Sequence, residues 1–78
     1  MNWDEPFLRP IALSDGRRLV TLNDAANLIT SFTGVRRDAA LERALELLIR
    51  SAESGKRKDV GAAAEQIEIV LRRRMMAD

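Results

Sequence analysis

Two adjacent arginines, Arg36 and Arg37, stand at the predicted start of a helix, where positive charge opposes the helix dipole by about 0.3–1 kcal/mol per residue at low salt. An unfavourable placement invites a chemical reason. Free amides between Gly34 and Asp38, together with two guanidinium groups, could hold a phosphate or a partner's carboxylate. The competing reading is that Asp38 and a carboxylate such as Asp24 or Glu5 neutralise them, or that the helix starts elsewhere. A second basic group, Arg72-Arg73-Arg74, could touch nucleic acid or an acidic membrane, but it falls short of the roughly five to eight residues of a basic patch. Near a helix C-terminus, cations are simply stabilising. The carboxylate pairs Glu42 with Glu46 and Glu65 with Glu68 could bind a metal or trade protons, yet each falls on the polar face of a helix, where a carboxylate keeps ordinary acidity.

One pattern points to assembly. Ala62, Ile69 and Met76 recur every seven residues on a side of the last predicted helix that its main apolar stripe does not use, flanked by Glu65, Gln66, Arg72 and Arg73. Such a thin seam could pack against a symmetry mate in a homodimer, because C2 dimers are the commonest soluble assembly. It could equally let Ile69 pack beneath the hairpin or beneath Trp3.

Much chemistry is excluded by composition. The 78 residues include no Cys and no His, which removes the usual zinc sites, thiol catalysis and Ser-His-Asp triads within this chain. Acid–base work would fall to Asp, Glu or Lys, and a core this small rarely buries such a group deeply enough to retune it. No cofactor-binding motif is present: none of the glycines lies in a Gly-x-Gly or Gly-Lys-Ser/Thr context. A formal charge of +1 is not the electrostatic footprint of a general nucleic-acid binder. The opening Met-Asn-Trp-Asp-Glu-Pro does not read as a secretory signal, and no apolar run approaches a membrane span, so the expectation is a cytoplasmic protein with no membrane partner.

The elements that must position these residues follow from period and punctuation. Residues 1–6 read as a polar leader, with Trp3 expected to be buried over the helices. Two apolar runs flank Asp15-Gly16, which predicts a hairpin over 7–21. A two-residue Asp-Gly loop sets Ile11 against Val20, and a three-residue loop sets Leu13 against Leu19; pattern alone leaves both open. Pro10 cannot donate to a ladder, so the first strand is an edge strand or begins beyond it.

Thr21 and Asp24 have the spacing of a capping box and predict a helix over 22–33 with Leu22, Ala25, Ala26, Ile29 and Phe32 inward, closed by Gly34. A second helix over 36–54 carries Ala40, Leu41, Ala44, Leu45, Leu48 and Ala52 inward, and Glu42, Arg43, Glu46, Arg50 and Glu53 outward. Gly55 closes it. Asp59 is expected to cap a third helix over 59–76, whose stripe is Val60, Ala63, Ala64, Ile67, Val70 and Leu71. Glu46 with Arg50 and Glu68 with Arg72 have the spacing of helix ion pairs.

Phe7-Leu8-Arg9-Pro10-Ile11, then Val20-Thr21-Leu22-Asn23-Asp24-Ala25-Ala26, then Ala40 and Ala44 form an order that resembles the domain of unknown function family 982, small alphaproteobacterial proteins. That family commonly carries Trp-Pro between its first two helices, where this chain has Ser31-Phe32-Thr33-Gly34. The resemblance implies a short hairpin followed by helices, and no catalytic residues.

Together these readings give a single α+β domain over 1–78, an N-terminal two-stranded β-hairpin packed on three amphipathic α-helices. The leading functional expectation is a non-enzymatic protein-interaction or assembly domain with an unidentified protein partner, or a second copy as a homodimer. The alternative is weak anion or nucleic-acid binding through Arg36 and Arg37.

Overall fold

The computed structural model describes residues 1–32 and 39–74. It is an α+β fold: an antiparallel hairpin of β1 (Pro6–Ala12) and β2 (Arg18–Thr21), then α1 (Leu22–Thr30), α2 (Ala39–Ser54) and α3 (Arg57–Arg73). The apolar residues of both strands and all three helices meet in one core, in which Leu22, Ile29, Leu41, Leu48, Ile67 and Leu71 lose almost all contact with solvent. The α2–α3 pair forms its most extensive interface, with α1 on α2 and β1 on α3.

The hairpin adopts neither of the two expected registers. Ile11 pairs with Leu19 and Ala12 with Arg18, around a three-residue loop, Ser14-Asp15-Gly16. The Leu13 N–H donates to the Arg17 carbonyl at 2.8 Å and the Gly16 N–H to the Leu13 carbonyl at 3.1 Å. The Gly16 bond closes a four-residue turn, and the chain leaves it through a left-handed position that glycine fills at φ 91°. Asp15 holds the loop from its own side chain, accepting from the Arg17 backbone N–H at 3.0 Å and from the Arg17 guanidinium at 2.7 Å. Those bonds, the backbone one foremost, hold the pKa of the Asp15 carboxyl below its ordinary value of 3.8. Between Pro6 and Ile11 the ladder is irregular: β1 runs from Pro6, opposite Thr21, to Ile11, opposite Leu19. Pro10 lies in this irregular stretch, where the absence of its N–H breaks no regular ladder.

The capping box at α1 is complete. Thr21 Oγ1 accepts from the Asp24 N–H at 3.2 Å, and Asp24 Oδ2 accepts from the backbone of Thr21 at 3.2 Å and Val20 at 3.0 Å. The helix ends earlier than its apolar pattern suggests. The hydroxyl and amide of Ser31 both bond back to Leu28, and the Phe32 N–H reaches the Ile29 carbonyl at 3.0 Å, so the final turn tightens and leaves Ser31 and Phe32 outside α1. The expected closure at Gly34 lies outside the described residues. Leu28 joins the core in place of Ala26, which is only half-buried.

Along α2 the expected outward residues are exposed, while the buried face is broader than the expected stripe and also takes in Leu47 and Ser51. A helix covered by both α1 and α3 has two flanks to bury. Ser51 enters without penalty, because its hydroxyl donates to the Leu47 carbonyl at 2.7 Å. Gly55 turns the chain out of α2 at φ 66°, as a C-cap glycine should.

The start of α3 differs from the expected one. The helix begins at Arg57 with Lys56 as the residue before it, which places Asp59 in the third helical position. There Asp59 accepts the Ser54 hydroxyl and ties α3 to the end of α2. Residues 75 and 76, expected within this helix, lie outside the described residues.

Residues 1–5 are more than a leader. The Asn2 N–H donates to the Ala52 carbonyl at 2.6 Å and the Asn2 side chain to the same oxygen at 3.1 Å, satisfying an acceptor that the end of α2 leaves open. The Trp3 and Glu5 carbonyls then accept from Asn23 at 2.9 Å and Leu22 at 3.0 Å, two of the first amides of α1. Trp3 is half-buried against the core.

Candidate interaction surface

The face of α3 opposite its buried stripe carries the candidate site. Val60, Ala63, Ile67, Val70 and Leu71 turn inward, as expected, and Ala64 packs half-buried beside them. Helical periodicity therefore directs Ala62, Glu65, Ile69, Arg72 and Arg73 away from the core, and all five are exposed. Ile69 shows 43% of its surface to solvent, so it does not pack beneath the hairpin or beneath Trp3. Met76, the third member of the seam, lies outside the described residues. Gln66, between the seam and the core, donates to the Ala40 carbonyl at 3.0 Å and fixes the rotation of α3 against the first turn of α2.

The charges around Ile69 are unevenly engaged. Arg72 reaches Glu68 at 3.9 Å, the expected pair at four-residue spacing. The other expected pair is replaced: Glu46 meets Arg43 at 3.5 Å, three residues before it, and not Arg50. Exposed pairs of this kind contribute at most about 1 kcal/mol. The guanidinium of Arg74 lies 4.6 Å from the centre of the Phe32 ring and binds the end of α3 to the segment after α1. The run Arg72-Arg73-Arg74 is thereby divided among an ion pair, an open position and an aromatic face, and does not present one basic patch.

Arg36 and Arg37 lie outside the described residues, so no geometry bears on the anion site. Glu42, Glu46, Glu65 and Glu68 stand exposed on α2 and α3. Among the described residues no three His, Cys, Asp or Glu gather to hold a metal, and no helix is long and apolar enough to cross a membrane.

A groove between β1 and α3 has no counterpart in the apolar pattern of either element. It is lined by Leu8, Ile11, Val60, Gly61 and Ala64, with Glu68 at its rim. Leu8, at 79% exposed, is the most open large apolar side chain among those described. The only signal in the sequence is the small pair Gly61 and Ala64, whose significance depends on knowing that β1 lies over them.

Comparison with protein-family models, with curated proteins and with solved structures finds no match for the chain.

Proposed function

We propose that the protein is a small non-enzymatic interaction or assembly domain, acting in the cytoplasm, whose contact surface is the outward face of α3 centred on Ile69. The observation that carries this reading is a half-exposed β-branched side chain, with Ala62 beside it, on a helix whose core obligations are met by a separate stripe. An apolar residue with no task in the core and charges on its flanks has the composition of a helix–helix contact. The lack of Cys and His supports the non-enzymatic half of the reading, because acid–base or nucleophilic work would rest on exposed carboxylates. We also propose kinship with the domain of unknown function family 982, on the residues quoted above; it brings no activity with it.

Photo-crosslinking tests the surface directly. A photoreactive residue replacing Ile69 should give a discrete protein adduct in cells, while the same residue replacing the exposed Asn27 of α1 should give none. Equal labelling at both positions, or none at either, removes the α3 face as the contact surface.

A further inference from the structure

We propose that the partner of the α3 face is a second copy of this chain, joined as an antiparallel two-fold helix pair in which Glu65 of each copy faces Arg72 of the other. The proposal rests on the reading of that face given above. Its support is a self-complementary arrangement of charge.

Glu65 and Arg72 are seven residues apart, so they stand on the same flank of Ile69, Glu65 four residues before it and Arg72 three after. At about 1.5 Å of rise per residue these offsets are roughly 6 and 4.5 Å, nearly equal and opposite. A two-fold axis beside Ile69 reverses one helix upon the other and keeps each flank on its own side. Ile69 then packs on its copy, and the level of Glu65 meets the level of the copy's Arg72. The symmetry makes this contact twice. A parallel pair would instead turn each flank toward the copy's other flank, leaving Glu65 beside Gln66 with no cation to meet and setting Arg72 beside Arg73, a like-charge contact made twice beside the apolar seam.

Both side chains are free to make the contact. Glu65 is exposed and in no ion pair among the described residues, and Arg72 is exposed with only the 3.9 Å contact to Glu68, leaving room for a second carboxylate. On the opposite flank Gln66 is engaged with its own chain, at the Ala40 carbonyl, so that flank offers no matching pair for Arg73. The small Ala62 lets the two helices approach closely. A single helix pair is a small interface, so the dimer should be reversible at micromolar concentrations.

Charge exchange tests the geometry. Sedimentation equilibrium on the wild type should show a monomer–dimer equilibrium, and Glu65→Arg and Arg72→Glu should each raise its dissociation constant about tenfold or more, since each replaces two attractions by two repulsions. An equimolar mixture of the two variants should regain near-wild-type association as a heterodimer, because only the mixed pair restores both contacts. Arg73→Glu makes the same charge change on the other flank and should shift the constant by less than about threefold. Ile69→Glu should leave a monomer with unchanged helicity by circular dichroism. A mixture that associates no better than its components overturns the antiparallel pairing, as does an Arg73→Glu effect equal to that of Arg72→Glu. A wild type that stays monomeric near millimolar concentration overturns the second copy as partner, while a crosslink from position 69 to another protein would still stand for the surface itself.

Discussion

Gly55 and Asn2 are 53 positions apart in sequence, and the fold makes them depend on each other. A Cβ added at Gly55 would come within 2.8 Å of the Asn2 side-chain nitrogen, and Gly55 sits at φ 66°, in the left-handed region. Gly55→Ala therefore carries two costs. The backbone conformation costs about 1–2 kcal/mol for a residue with a Cβ. Displacing Asn2 breaks its 3.1 Å side-chain bond to Ala52, worth about 1 kcal/mol. Asn2→Ala alone loses only that bond, also about 1 kcal/mol, because its backbone N–H still reaches Ala52. In the double variant the bond can be lost only once and nothing remains to be displaced, so the combined destabilisation should fall short of the sum by about 1 kcal/mol. Urea unfolding followed by far-ultraviolet circular dichroism measures all four corners of the cycle. Additivity to within about 0.3 kcal/mol would refute the docking of residues 1–5 on the end of α2.

Other expectations follow from the same geometry. Asp24→Ala should cost about 1–2 kcal/mol, since it removes the acceptor of two backbone amides, and Thr21→Ala about 1 kcal/mol; urea unfolding reads both. Leu41→Ala should cost about 2–5 kcal/mol while Glu42→Ala stays within about 0.5 kcal/mol, a contrast that checks the rotation of α2 by thermal or urea unfolding. Ser51→Leu should destabilise by about 1–3 kcal/mol through overpacking, and Ser51→Ala should be close to neutral, because the Leu47 carbonyl loses only an extra donor. Asp15 should titrate below 3.8 in an NMR pH series; because its acidity is increased by folding, its contribution to stability is present above that pH and is lost as pH falls through the lowered value. Since the largest cause is the Arg17 backbone amide, Arg17→Ala should keep most of the depression.

What could be read from sequence was what neighbouring residues decide among themselves. Thr21 and Asp24 lie three positions apart and satisfy each other's backbone, so the capping box could be read directly. The stripe of α3 was legible for the same reason, but the exposure of Ile69 was not, since the spacing left it equally able to pack beneath the hairpin or beneath Trp3. The hairpin register was not, because it turns on whether Asp15 adopts a positive φ or turns its carboxylate to the Arg17 amide, a choice in which both residue types are at home. The width of the α2 core, with Leu47 and Ser51, depends on a second neighbour that no periodicity within α2 can announce. Residues 1–6 read as a polar leader in which only Trp3 was expected to dock, because the backbone partners of Asn2, Trp3 and Glu5 lie far away in sequence on α2 and α1. Of the candidate sites, the seam at Ala62 and Ile69 was visible as spacing, and the groove beside Leu8 was not, since it exists only where β1 crosses α3.

The bond from Asn2 to Ala52 spans 50 residues, which orders events during synthesis. Asn2 leaves the ribosome long before its acceptor exists, and the hairpin must meanwhile emerge without the helix that will cover it. Closing this strap is therefore a late step of maturation: Trp3 and Glu5 can already hold the start of α1, while Asn2 waits for the end of α2.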